Sequence, residues 1–531
     1  MTDSAKPAAP DDLARIQRTP HAMSSWQNAQ QQVVHGRYPA AVTIYRNLAG
    51  QFPGVPQLWA ELGIAATSNL EFELAGQSLR RATEMAANDS ALLLSIGEQY
   101  QRLRRLKEAG DCYERAVAAD PLSIHARLSL AAMLERDRRL DRARECVEVC
   151  LKQNPQDGPA RYFRAFLLHR QGLAAEAETA LRDLLRNDPK DPSVKSATLH
   201  LLGVILDESG QYAEAMRRLV EAKALVRQNS EAATLLQGYD QRDAARRQLL
   251  ASMTPDTIKR WREEASAATA EPARRLAFLG GSPRSGTTLI EQILGAHPDI
   301  LVFDEPKAFP LEVLGVMQPG ATPKPMSLSA LNAVPAATRT NFIRRYYKSL
   351  LNELEEPPGG ELLLDKNPST TASLHIWLRL FPWSKIIISL RDPRDVIVSC
   401  FFQNLQLTAI NANFLTLERT AKFYSDLTDV WLRLRDLGGF DWLETRYEDF
   451  VVNLEAEGRR VTDFLGLTWD AGQATYHETA RRKFVFAPTY HDVTKPIYNR
   501  AVRRWEHYAE ALAPCQSVLG RYCRAFGYGE V

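Results

Sequence analysis

Up to about residue 225 the chain repeats one arrangement of small, aromatic and helix-breaking positions with a period of 34 residues. Ala41, Ala75, Ala109, Ala143 and Ala177 lie on this grid, and Tyr45, Leu79, Tyr113, Val147 and Leu181 follow them by four. Pro53, Pro121, Pro155 and Pro189 keep the same spacing, Trp59, Leu62 and Gly63 open one unit, and Gly97 opens the next. After four inserted residues, Gly203, Ala215, Leu219 and Ala222 continue the pattern. A small residue at a fixed point lets two antiparallel helices approach closely, and a proline stops the second helix before the next unit. The pattern predicts about six helix pairs over residues 23–225. Residues 226–274 are rich in Ala, Arg, Glu and Gln, with Pro255 and Pro272 as breakers, and predict capping helices and a connector. From 275 to 531 short apolar runs alternate with amphipathic helices: Leu276 to Leu279, Ile300 to Phe303, Leu362 to Leu364, Lys385 to Leu390 and Trp442 to Thr445. Such alternation predicts an α/β domain with a mostly parallel sheet.

The helical repeat resembles the tetratricopeptide repeat. Stacked units of this kind form a groove suited to peptides or partner proteins, while a spacer or a dimerisation surface fits the same residues. The expected architecture is therefore an all-α tetratricopeptide-repeat solenoid followed by an α/β domain.

Charge narrows the choice of partners. With 66 basic and 64 acidic residues among 531, the net charge is +2, so binding that rests on bulk charge, such as nucleic-acid binding, is not expected. Any anion chemistry must be local. Met1 to Ala29 has no signal-peptide core and no run of 18 apolar residues occurs, which leads us to expect a soluble cytoplasmic protein without a membrane partner. The six cysteines show no disulfide or metal-ligand spacing, and this suits a reducing compartment. Cys112 and Cys146 occupy equivalent repeat positions and read as packing residues.

Two segments carry chemistry. The strand Leu276 to Gly281 runs into Ser282-Pro283-Arg284-Ser285-Gly286-Thr287-Thr288 and then into a helix with apolar Leu289, Ile290, Ile293 and Leu294. Backbone N–H groups in such a loop point at one anion, glycine permits close approach, and hydroxyls add donors. Gly281 and Gly286 have the spacing of the nucleotide P-loop, but Thr287 stands where its lysine belongs, which disfavours an ATPase or kinase. The second segment is Arg391-Asp392-Pro393-Arg394-Asp395, after the strand Lys385 to Leu390. Asp392 is placed to cap a helix starting at Pro393, so Arg391 at the strand end and Ser399 two turns along would clamp a second phosphate.

Pro283 to Thr288 together with Arg391 and Ser399 resemble the two phosphate-binding motifs of sulfotransferases that use 3′-phosphoadenosine-5′-phosphosulfate (PAPS). Within that superfamily the stretch from Leu276 to Tyr528 is most similar to tyrosylprotein sulfotransferases and to bacterial proteins joining tetratricopeptide repeats to a sulfotransferase domain. The resemblance implies a P-loop-like sulfotransferase fold. It implies that Arg284, Ser285, Gly286, Thr287 and Thr288 hold the 5′ end of the donor, and that Arg391 and Ser399 hold its 3′-phosphate. His297-Pro298 followed by Asp304-Glu305 puts the catalytic base on Glu305. Lys366, in Leu364-Asp365-Lys366-Asn367-Pro368, takes the place of the family's catalytic lysine, and Tyr447 that of a nucleotide contact. Counting from Lys495-Pro496 and Trp505 aligns Thr489 with a serine that touches the transferring group and Arg504 with a basic donor contact. Gln403 stands where the family has a further arginine.

Apart from the resemblance, Glu305, Lys366, Arg391 and Tyr447 each fall at or just beyond the C-terminal end of an expected strand, the edge where open α/β sheets bind ligands. The expected reaction is sulfuryl transfer from PAPS, leaving 3′,5′-adenosine bisphosphate and needing no metal. Protein or peptide tyrosine is the first acceptor considered; Arg481-Arg482-Lys483 would attract acidic peptides, and the repeats offer a surface to hold them. A carbohydrate, lipid or small phenol stays open as acceptor. Two other readings also stay open: a repeat scaffold with an inactive nucleotide-binding domain, and phosphoryl transfer on the same loop.

Overall fold

The computed structural model describes residues 12–69, 71–268, 275–317, 326–354, 356–404, 406–478 and 499–529. Contacts divide the chain into two compact units, Met1–Ile205 and Leu206–Val531.

The first unit is built from helix pairs: Pro20–Val34 with Tyr38–Gln51, Pro56–Ser68 with Phe72–Met85, Ser90–Arg102 with Leu106–Ala119, Ile124–Arg136 with Leu140–Gln153, and Gly158–Arg170 with Ala174–Arg186. Ala41, Ala75, Ala109, Ala143 and Ala177 are fully buried, each on the second helix of its pair. The close approach they allow is tightest at Gly97, where a Cβ would come within 2.5 Å of the Tyr113 ring. The turns inside the pairs repeat as well. Gly36, Arg104, Arg138 and Gly172 all have positive φ, between 61° and 83°, at positions separated by 34 or twice that number. Pro53, Pro121 and Pro155 each lie two residues beyond the end of a second helix.

The next pair of helices, Pro192–Glu208 and Tyr212–Arg227, straddles the division between the units. The two compact units divide at 205/206, inside the first helix of this sixth pair. Helices Ser230–Ser252 and Pro255–Ala268 lie where capping helices and a connector are expected, and they pack as parts of the second unit. Asp240 pairs with Arg419 at 3.0 Å, the Trp261 indole donates to Asn332 at 2.8 Å, and Glu264 pairs with buried Arg379 at 2.8 Å.

In the second unit β1 (Leu276–Gly281), β2 (Ile300–Asp304), β3 (Leu362–Lys366), β4 (Lys385–Leu390) and β5 (Trp442–Arg446) form one sheet in the order β2-β3-β1-β4-β5. All four pairings are parallel, each strand feeding a helical connection back across the sheet. Both faces are covered, as a parallel sheet requires. On one face Phe278 stacks on Trp377 at 5.0 Å between ring centroids, and Phe309, Tyr346 and Phe381 extend that aromatic cluster. On the other, Ala277, Leu279, Leu364 and Ile387 meet Ile290, Ile293 and Leu294. Among the described residues no helix is long and apolar enough to cross a membrane.

Candidate active site

Strand order decides where the chemistry gathers. β1 leads towards β2 on one side of the sheet and β4 leads to β5 on the other, so their C-terminal ends flank a switch point where a crevice opens. Register aligns Gly281 with Ser389 there, and sets Lys366 beside Asp304. Residues from four distant segments are thereby brought to one edge.

The loop after β1 has the geometry of an anion cradle. Gly281 has φ +129° and a Cβ on it would lie 2.4 Å from the Ser389 carbonyl oxygen; Gly286 has φ +101° and faces the Tyr447 ring. Arg284 also has positive φ, 71°. Gly286 is the N-cap of helix Thr287–Leu294 and supplies no side-chain cap, so the first-turn N–H groups are left to an anion. The loop is held from behind: Ser285 Oγ donates to the Ser282 carbonyl at 2.7 Å, Ser389 Oγ donates to the Ser285 carbonyl at 2.8 Å, and the Gly281 N–H donates to Thr371 Oγ1 at 2.9 Å.

Arg391 and Ser399 close on this loop from the β4 side. Arg391 Nη1 donates to the Arg284 carbonyl at 3.1 Å, Arg284 Nε donates to Ser399 Oγ at 3.0 Å, and the Arg391 guanidinium lies over the Tyr447 ring at 4.9 Å. Arg391, Ser399 and Tyr447 are buried. Two buried polar atoms on this flank, Ser282 Oγ and Arg391 Nε, have no hydrogen-bond partner among the described residues. Orphaned buried donors are costly, and an anion would satisfy them. The two arginines of the segment 391–395 differ in kind. Asp392 caps helix Pro393–Phe401 and binds Arg394 through both oxygens, at 2.9 and 2.6 Å, whereas Arg391 reaches Asp395 only at 4.0 Å. Arg394 is the structural pair and Arg391 the available cation. Asp395 instead accepts the N–H groups of Arg503 and Trp505, both at 2.8 Å.

On the β3 side the charge balance reverses. Lys366 is fully buried, and its Nζ is bonded to Asp304 and lies 3.3 Å from Glu291 and 3.5 Å from Glu305. Burial opposes its charge, but Glu291, Asp304 and Glu305 outweigh that and raise its pKa. Glu291 is pushed up to about 7, chiefly by burial, against the pull of Lys366. Glu305, just past β2, has φ 49°, donates its N–H to the Lys366 carbonyl at 2.8 Å, and leaves its side chain 44% exposed. A carboxylate thus faces the crevice while the lysine beside it is shut in.

The remaining expected residues divide. Arg504 is ion-paired with Asp207 at 2.8 Å and lies over the Phe402 ring at 4.1 Å, at the far end of the helix that carries Ser399. His297 is a structural link: its Nδ1 accepts the Asp299 N–H at 3.0 Å, so Nε2 carries the proton it gives to the Thr468 carbonyl at 2.9 Å. Thr489 and Arg481-Arg482-Lys483 lie outside the described residues. Glu291 escaped the sequence reading, although its place was visible as a carboxylate among Leu289, Ile290, Ile293 and Leu294. Thr371 and Asp207 left no such mark.

Residues 275–471 match the sulfotransferase family, and residues 27–90, 94–157 and 147–199 match tetratricopeptide repeats. The chain joins tetratricopeptide repeats to a sulfotransferase-family domain. It is 26% identical over 232 residues to protein-tyrosine sulfotransferase A of Caenorhabditis elegans, which covers 43% of this chain and 60% of that one. It is 25% identical over 260 residues to the protein-tyrosine sulfotransferase of Drosophila melanogaster, covering 46% of this chain and 51% of the relative. The chain therefore spans about half the length of these curated relatives. Among solved structures, the sulfotransferase domain of the Synechococcus PCC 7002 olefin synthase is 21% identical, covers 50% of this chain and 98% of its own, and superposes with a TM-score of 0.37. The sulfotransferase domain of this chain is the parallel sheet with its loop, flanked on one side by Arg391 and on the other by Lys366.

Proposed function

We propose that this protein transfers the sulfuryl group of PAPS to a hydroxyl acceptor, with a protein or peptide tyrosine as the first candidate. The observation that carries the donor assignment is the convergence of the 282–288 loop, Arg391 and Ser399, with Ser282 Oγ and Arg391 Nε unsatisfied among the described residues. Two neighbouring anion positions suit a nucleotide with phosphates at both 5′ and 3′ ends better than ATP, which has no 3′-phosphate. Arg284, Ser285, Gly286, Thr287 and Thr288 would hold the 5′ end, Arg391 and Ser399 the 3′-phosphate, and Tyr447 the nucleoside side. Arg504 would add a further basic contact at the end of the same helix.

A tyrosine phenol has an unperturbed pKa of about 10 and needs a base to attack at neutral pH. The half-exposed Glu305 carboxylate would take the proton. As it does, the phenol oxygen bonds to sulfur, and the bond between sulfur and the donor's 5′-phosphate oxygen breaks with its electron pair, leaving 3′,5′-adenosine bisphosphate. Lys366, positioned by Glu291 and Asp304, would steady the negative charge gathering on that leaving oxygen, and the resemblance gives Thr489 the same task. Positioning and prearranged charge supply the rate, as in phosphoryl transfer. The tyrosine acceptor is supported by the two relatives named for that activity and by the repeats as a peptide surface. Cytoplasmic placement belongs to the same proposal and rests on cysteines that are all free thiols.

Incubation with PAPS and an acidic tyrosine peptide tests the reading, with sulfated peptide and free bisphosphate quantified by mass spectrometry. Both products should appear in equal amounts, and Glu305→Gln should slow their formation by about 10²–10⁴-fold. Retention of PAPS without turnover across tyrosine peptides, small phenols and saccharides would instead make the domain a donor-binding scaffold.

A further inference from the structure

Helix Tyr212–Arg227 of the second unit buries a lysine at the end of the helix that bears Ser399. Lys223 is 7% exposed, its Nζ donates to the Gln403 carbonyl, and it lies 5.8 Å from the Phe401 ring centroid. Three other buried cations of this unit have a close carboxylate: Lys366 has Glu291, Arg379 has Glu264 and Arg394 has Asp392. Among the described residues Lys223 has no ion-pair partner. A buried ammonium with only a helix-end carbonyl for company is poorly compensated, and burial accordingly drives its pKa down to about 8.

Its surroundings say what would compensate it. The Cys400 thiol feels three cations, Arg284, Arg391 and Lys223, and Cys400 Sγ contacts the Pro283 carbonyl at 3.5 Å. The Gln403 amide donates to the Ser399 carbonyl at 3.0 Å, so Lys223 stands one helical turn from Ser399, whose hydroxyl accepts from Arg284 Nε at 3.0 Å. We infer that Lys223 is a third cation of the nucleotide site, and that it contacts the 3′-phosphate of a nucleoside bisphosphate together with Arg391 and Ser399. This rests on the donor reading above. A residue before the sheet domain proper thereby completes the binding site.

Full-length protein is titrated by calorimetry with 3′,5′-adenosine bisphosphate and with 5′-AMP, as wild type, Lys223→Met, Lys223→Arg and the double variant Lys223→Met/Gln403→Arg. Loss of a charge-assisted contact should weaken the bisphosphate about tenfold or more in Lys223→Met. AMP affinity should stay within about twofold, Lys223→Arg should keep most bisphosphate affinity, and Gln403→Arg should recover part of it in the double variant. Unchanged bisphosphate affinity in Lys223→Met, or equal loss for both ligands, would overturn the inference and leave Lys223 as a helix-end prop. A wild type that does not prefer the bisphosphate over AMP would overturn the donor reading itself.

Discussion

On the β3 side of the phosphate loop a buried lysine is ringed by Glu291, Asp304 and Glu305, whereas on the β4 side Arg391 bonds to the carbonyls of Arg284 and Ala501 and stands 4.0 Å from Asp395. One flank holds more negative charge than its single cation neutralises, and the other holds cations and donors with too few acceptors. The first arrangement stabilises the folded protein through pairing and, in the proposed reaction, would offer a carboxylate to a proton. The second would take its pairing from the proposed donor. The difference teaches that stability and binding are separable on this sheet edge, and substitutions on the two flanks should separate them.

The largest effect is expected on the paired flank. Lys366→Ala leaves buried Glu291 without its cation beside Asp304 and half-exposed Glu305, and breaking such a buried pair costs about 3–5 kcal/mol. Denaturant unfolding at neutral pH should show that loss, and it should shrink in acid as the carboxylates take up protons. Arg391→Ala should cost about 1–2 kcal/mol in the same experiment, because hydrogen bonds to two carbonyls, the contact over the Tyr447 ring and a 4.0 Å approach to Asp395 are lost, while bisphosphate affinity falls about 100-fold. If both variants lost stability equally, the contrast between the flanks would be wrong.

Glu291 sharpens the comparison through pH. Its folded pKa of about 7 lies above the unfolded carboxylate value of about 4.3, so the folded state binds the extra proton between them. This group's contribution is present below about pH 4 and is lost as pH rises through 7, with a decline on the order of 3–4 kcal/mol. Glu291→Gln should flatten that decline in unfolding curves measured from pH 4 to 8; an unchanged slope would contradict the assignment. Gly97→Ala gives the smallest expected effect. The added Cβ would crowd the Tyr113 ring and cost about 1–2 kcal/mol by thermal melting, with nucleotide affinity unchanged.

How far the sequence could be read follows from the same physics. Helix pairs are periodic, so Ala41 and its counterparts announced their spacing. The left-handed turns at Arg104 and Arg138 did not, since arginine fills positions that Gly36 and Gly172 make obvious. At the sheet edge, Arg284, Arg391 and Tyr447 were legible because each follows a short apolar strand, and strand ends in a parallel sheet must converge. Illegible were the contacts that join distant parts of the chain: Asp207 holding Arg504, Lys223 against Gln403, and the backbone of Arg503 and Trp505 fastened to Asp395. No local spacing encodes contacts across 108 to 297 residues.

The central claim, a donor site built for two phosphates, can be tested before any acceptor is known. Calorimetric titration of the wild-type protein with 3′,5′-adenosine bisphosphate, with 5′-AMP and ATP alongside, is that measurement. The account predicts that the bisphosphate binds at least tenfold more tightly than either, since only it places a phosphate on Arg391 and Ser399. ATP binding as tight as the bisphosphate, or AMP binding equal to it, would contradict the account.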